Sequence, residues 1–168
     1  MHPLKSIPVA LALCLSVAGA QNLDDYKISL CIDGTPVKGM QELWPLEKAA
    51  PTPGAVIDAN PPMQLSPGQS VQAFVKVTDP SGKTRDYTHH PRLRYEPVCM
   101  TASSRGMLTM TPMTGVPCAG PEYPILVIFL DDASGNAIGA NSYMFQLVDP
   151  GQAASAQMER QRHRRNRC

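Results

Sequence analysis

Met107, Met110 and Met113 stand three residues apart, with Met100 just before them and the pair His89-His90 upstream. Thioether sulfur favours Cu(I) and imidazole suits Cu(II), so a Met-rich set with nearby His is the ligand chemistry of a periplasmic copper carrier. Strand geometry opposes that use. Positions three apart point to opposite faces, so Met107 and Met110 converge only on a loop or bulge. Pro112 makes the end of the segment irregular, but methionine is also ordinary gap-filling core material. His89 and His90 meet the same objection, because adjacent side chains diverge on extended backbone; the bland reading is a pair of surface loop histidines before Pro91. Asp131, Asp132 and Asn136 offer oxygen ligands of the kind calcium takes, yet the helix-flanked loop is missing and these residue types are common turn formers. The expectation is no cofactor, with copper as the alternative.

No Gly-x-Ser-x-Gly elbow and no phosphate-cradling glycine loop occurs, and the chain is read as a non-enzyme. One charged feature stands out. Residues 21–158 hold nine Lys or Arg against thirteen Asp or Glu, whereas 159–168 hold five Arg (Arg160, Arg162, Arg164, Arg165 and Arg167) against one Glu. Such segregation marks a solvated basic tail that can adhere to an anionic polymer. It has no interleaved aromatics for base stacking, and the whole chain carries a formal charge of only +1, so nucleic acid is not an expected partner.

Residues 1–20 read as a secretory signal: Lys5 and the free amine, an apolar stretch over 7–17, then Ala18-Gly19-Ala20 as a small-residue cleavage site. That stretch is too short to span a bilayer, and the strongest later apolar run, 125–130, is shorter still, so no transmembrane segment is expected in the mature chain. Four cysteines remain after cleavage: Cys31, Cys99, Cys118 and Cys168. An even number in an oxidising compartment points to disulfides, and three connectivities are open. Cys99 and Cys118 lie nearest each other, 19 positions apart, and closing that loop is worth about 3 kcal/mol in the chain-entropy account. Cys168 either reaches back to Cys31 or crosslinks to another chain. The expected location is periplasmic or secreted.

The elements that must position these groups read as strands. At 168 residues, 43% hydrophobic, with 17 Pro and 12 Gly, the chain is sized for one domain and is neither collagen-like nor a coiled coil. Ile28, Leu30 and Ile32 share one face of a strand that Asp33-Gly34 ends. A helix-like piece over 40–50 is interrupted by Pro45, and a Pro- and Ala-rich stretch over 49–67 reads as an extended surface connector. Val71, Ala73, Val75 and Val77 alternate with polar residues, and Asp79-Pro80-Ser81-Gly82 suits a type I turn. Shorter strands follow over 83–88, 92–95 and 107–111. The block 123–130 is continuously apolar and reads as a central strand contributing Ile125, Val127 and Phe129 to the core. Asn141 to Val148 alternates with Tyr143, Phe145 and Leu147 inward. Leu93 and Tyr95 complete the expected interior. About six to eight short strands at this spacing predict an all-β fold, an antiparallel β-sandwich.

The run Ser66-Pro-Gly-Gln-Ser-Val-Gln-Ala-Phe-Val-Lys-Val-Thr-Asp-Pro-Ser-Gly-Lys-Thr-Arg-Asp-Tyr-Thr88 resembles the opening of bacterial immunoglobulin-like domains, type 2 in particular. A Gly-Gln pair precedes an alternating strand there, and a Gly-containing turn leads to a second strand ending at Thr. Residues 104–112, Ser-Arg-Gly-Met-Leu-Thr-Met-Thr-Pro, are similar to that family's later Gly-strand element. The resemblance spans roughly 63–148, about half the chain. It departs at His89-His90-Pro91, where the family usually has a Trp-containing or Ser-rich strand, and the Cys99, Cys118 pair is not a family hallmark.

The resemblance implies an immunoglobulin-like sandwich serving as a spacer or binding module of a bacterial surface, with no catalytic residues to carry over. The chain is thus divided into a signal (1–20), an N-terminal strand and connector (21–62), the sandwich (63–150) and the basic tail (151–168). The expected partner is another envelope or extracellular protein, reached through loops at one end of the sandwich or through a sheet edge.

Overall fold

The computed structural model describes residues 22–43, 62–103, 108–112 (as backbone), 123–162 and 168. Residues 1–21 and 44–61, Met107, Met113, Cys118 and Arg164, Arg165 and Arg167 lie outside the described residues. The strands are β1 (Lys27–Ile32), β2 (Thr35–Val37), β3 (Met63–Leu65), β4 (Val71–Thr78), β5 (Thr84–Asp86), β6 (Leu93–Val98), β7 (Met100–Ser103), β8 (Leu108–Pro112), β9 (Ile125–Asp131) and β10 (Ala137–Leu147). A single helical turn, α1 (Met40–Leu43), follows β2, and a helix, α2 (Pro150–Arg162), follows β10.

The strands form an all-β sandwich. One sheet runs β2-β1-β4-β8-β7 with β5 also on β4, and the other runs β3-β10-β9-β6. All pairings are antiparallel except β3 with β10. The first strand, placed by sequence outside the 63–150 unit, pairs along its whole length with β4 and belongs to the same sheet. Asp33 and Gly34 take positive φ values of 50° and 77°, which a tight two-residue hairpin between β1 and β2 requires. Asp79 holds the predicted turn. Its carbonyl accepts from Gly82 at 2.8 Å, and its carboxylate accepts from the backbone N–H groups of Ser81 and Lys83.

Alternation decides what faces inward. Val71, Ala73, Val75 and Val77 pack against Ile28, Leu30 and Ile32 from one sheet, and meet Leu65, Leu93, Leu126, Ile128, Leu130, Tyr143 and Phe145 from the other. Here one expectation fails. Leu126, Ile128 and Leu130 are the inward side chains of β9, while Ile125, Val127 and Phe129 stand half-buried on the opposite face. The strand is apolar on both faces, so its parity cannot be read from hydrophobicity. Leu147, also expected inside, is only half-buried.

Two devices join the sheets at their flanks. Cys99 adopts φ 56° between β6 and β7, and this left-handed residue passes the chain from one sheet to the other. On the opposite flank α2 packs against β3, with Ala153 buried. Its Gln157 donates to the Asp33 carboxylate at 3.4 Å. The helix overturns part of the tail reading: residues 150–162 are folded, because Pro150 suits a first helical turn and alanines at 153 and 156, three residues apart, give a small face that can approach β3. Cys168 then forms a disulfide with Cys31. The bridge closes a sequence separation of 137 residues, worth about 5 kcal/mol in the loop-entropy account.

β4 shares one of its edges between two strands, β8 at Val71–Ala73 and β5 at Lys76–Thr78. Val75 falls between them. Its N–H donates to Thr88 Oγ1 at 2.9 Å and its carbonyl accepts from the Tyr87 N–H at 2.8 Å. Thr88 in turn donates its hydroxyl to Asp86, and its carbonyl accepts from Tyr95 Oη at 2.9 Å. A buried Thr thus replaces the missing ladder bond.

A second polar link crosses the sandwich. The Ile28 carbonyl accepts from Tyr143 Oη at 2.8 Å and from Asn141 Nδ2 at 2.9 Å, tying β1 to β10. Burial pushes the Tyr143 phenol well above its ordinary value. Burial, and then the Asp86 carboxylate, push Tyr95 up to about 12. Both phenols ionise later in the folded chain than in the unfolded one, so their stabilisation is complete below about pH 10 and is lost as pH rises through the folded values. Urea midpoints are expected to stay level from about pH 7 to 9 and to fall above about pH 10. Tyr143→Phe should flatten that alkaline fall while costing about 1 kcal/mol at neutral pH. An alkaline profile that is level in the parent protein, or identical in the variant, contradicts this assignment.

Candidate functional site

The reversed parity of β9 builds a surface. Three cross-strand rows stand on the outer face of the second sheet, set by register: Val98, Ile125 and Met144; Glu96, Val127 and Ser142; Arg94, Phe129 and Ala140. Val98 is 50% exposed. Antiparallel sheets with one solvated face normally present polar residues there. Here the centre of that face is apolar.

Charged side chains rim it. Arg94 lays its guanidinium over the Phe129 ring, with Cζ 4.3 Å from the ring centroid. Nε and Nη2 donate to the two Asp131 carboxylate oxygens at 3.1 and 3.3 Å, and Nη1 pairs with Glu96. The fork holds the cation flat on the ring while keeping it in water. At the far edge Gln64 on β3 donates to Gln146 on β10 at 3.5 Å. This surface can dehydrate against an apolar partner and orient it through a fixed ion-pair cluster. Sequence reasoning assigned Ile125, Val127 and Phe129 to the interior; the signal available was the polarity of Arg94 and Glu96, which register places beside Phe129 and Val127.

The residues singled out by chemistry are dispersed. His89 and His90 lie in the turn between β5 and β6. The His90 ring stacks on Tyr87 with centroids 4.3 Å apart, and its Nδ1 accepts from the Arg92 N–H at 3.3 Å. The backbone of Met110 pairs with Val71 on β4 and Ala102 on β7, whereas Thr88, beside His89, attaches at Val75, about 13 Å further along β4 at strand rise. Met107 and Met113 lie outside the described residues. Among the described residues, no three His, Cys, Asp or Glu side chains converge on a metal position. Cys99 is disulfide-bonded, with its partner outside the described residues. Arg160 and Arg162 stand on the last turn of α2.

The displaced carboxylates serve turns. Hydrogen bonds from Ser81, led by its hydroxyl, hold Asp79 below the usual carboxylate range, and backbone donation from Asn136 does the same for Asp132. Asp132 therefore closes the β9–β10 turn, where Gly135 has φ 85°. No described helix is long and apolar enough to cross a membrane. No family model, curated protein or solved structure matches the chain.

Removing the cation that roofs Phe129 should bare more of the apolar face. Arg94→Ala is expected to keep the folded spectrum and to self-associate at lower protein concentration than the parent, read by sedimentation velocity. Equal association in both proteins argues against Arg94 as the guard of this face.

Proposed function

We propose that the chain is an exported, non-enzymatic binding module with an immunoglobulin-like β-sandwich, engaging a protein of the bacterial envelope or of an extracellular assembly. The observation that carries the reading is the apolar outer face of β9, flanked by Val98 and Met144 and rimmed by Arg94, Glu96 and Asp131. Contiguous apolar surface edged with charge is the composition of a protein-docking site.

Strand order supports the immunoglobulin-like part. The sequence β1-β4-β8-β7 corresponds to A-B-E-D of that fold, and β10-β9-β6 to G-F-C, with the chain crossing from C to D at Cys99. Export is supported by the Cys31–Cys168 disulfide, which persists in oxidising compartments, together with the leader-like residues 1–20. The binding role is supported by how the ionisable groups are spent. Asp79 and Asp132 close turns, and Tyr95 and Tyr143 hold backbone carbonyls, leaving the outer face as the surface built for contact.

A photo-crosslinking residue placed at Val127, in cells that make the protein, should give one discrete adduct in the exported fraction. The same residue at Gln72, on the outer side of the other sheet, should give none. Adducts from Gln72 alone, or from neither site, overturn the docking face, and retention of the chain in the cytoplasm overturns export.

A further inference from the structure

Two clefts line the β2 flank, and they differ in one respect. The larger, about 470 Å³, lies between β1, α1 and β10. The polar groups on its floor are satisfied, because Tyr143 and Asn141 both donate to Ile28. The other, about 350 Å³, lies between β2, β3 and α2, walled by Pro36, Val37, Pro62 and Met63 opposite Ala156 and Arg160. Of its polar lining residues, which also include Lys38, Gln64 and Glu159, one is not satisfied. Arg160 Nε and Nη2 are shut off from solvent and have no hydrogen-bond partner.

Those two nitrogens form one edge of the guanidinium fork, the edge whose parallel N–H groups match the two oxygens of a carboxylate. Leaving buried donors unmade is costly, and an acceptor that reaches them recovers the loss. Desolvation lowers the Arg160 pKa from its ordinary value, and the Asp33 charge opposes that only through space. Asp33 instead accepts from Gln157, one turn earlier on the same helix.

We propose that the β2–β3–α2 cleft binds a small amphipathic monocarboxylate, its acid group on the Nε–Nη2 edge of Arg160 and its hydrocarbon against Pro36, Val37, Pro62 and Met63. Arg160 swings toward the cleft to present that edge, a side-chain rotation that breaks no hydrogen bond at Nε or Nη2. The volume is at the small end for ligand pockets, which suits a medium-chain fatty acid and excludes a two-chain lipid. The cleft also depends on the disulfide, since the Cys31–Cys168 bond anchors the chain beyond α2 to the strand that leads into β2. This site is independent of the outer face of β9, so either can fail without the other.

The test is an NMR titration of the mature, oxidised protein with octanoate, and with octanol as the uncharged control. Octanoate should give saturable shifts at β2, β3 and α2, and octanol should bind about 10-fold more weakly or less. Arg160→Gln should lower octanoate binding to the octanol level, while Arg162→Gln, two residues further along α2 and exposed, should leave it unchanged. Ala156→Trp, which fills the cleft but keeps the guanidinium, should abolish both and stands as the deciding variant if Arg160→Gln misfolds. Absence of saturable shifts, shifts confined to other elements, or undiminished octanoate binding by Arg160→Gln or Ala156→Trp overturns the site.

Discussion

The two-residue repeat of a paired strand allows β9 one choice: of seven consecutive residues, either the odd or the even set enters the core. Leu126, Ile128 and Leu130 enter, at 0, 0 and 2% exposure. Ile125, Val127 and Phe129 are thereby committed to the outside. Neighbouring strands transmit the choice, because register sets Arg94 against Phe129 and Glu96 against Val127. A slip of one residue on β9 would bury no less hydrocarbon but would bring Asp131 inward with Ile125, Val127 and Phe129. That carboxylate, hydrogen-bonded to Arg94 outside, is the strongest internal reason for the parity observed.

The rest of the molecule keeps two thin sheets from opening. At one flank the chain itself crosses, at Cys99. At the other, α2 packs on the edge strand β3, and the Cys31–Cys168 bond ties the chain beyond the helix to β1. β2 and β3 are three residues long each, too short to shield an interior unaided. Covering such edges with a helix also hides backbone groups that would otherwise pair with other chains. A covalent closure over so long a loop is compatible with an exported chain, since such bonds persist where thiols stay oxidised.

Much of this architecture is legible in the sequence. Val71, Ala73, Val75 and Val77 alternate with polar neighbours and land where alternation puts them, as do Ile28, Leu30, Ile32, Tyr143 and Phe145. The turns at Asp33-Gly34, Asp79 to Gly82 and Asp132 to Asn136 carry their own chemistry in the residues that make them. What escapes is what depends on distant partners. The doubly apolar strand β9 gives no local sign of parity. The helix α2 lacks an apolar stripe, with only Ala153 buried, so its docking on β3 is invisible to periodicity. The outer face is hidden for the same reason, and in the sequence Arg160 is one more charge in a basic run, whereas α2 places it in the cleft beside β2 and β3.

The most direct test is a pair of aspartate substitutions on adjacent residues of β9, compared by urea unfolding. Ile128→Asp places a carboxylate among Leu30, Val75 and Phe145 in the sealed interior and should cost at least about 3 kcal/mol, enough to threaten folding. Val127→Asp faces solvent beside Ser142 and should leave a folded, disulfide-closed protein with only a modest loss. A chain that tolerates aspartate at 128 and unfolds with aspartate at 127 would reverse the parity of β9 and remove the outer face with it.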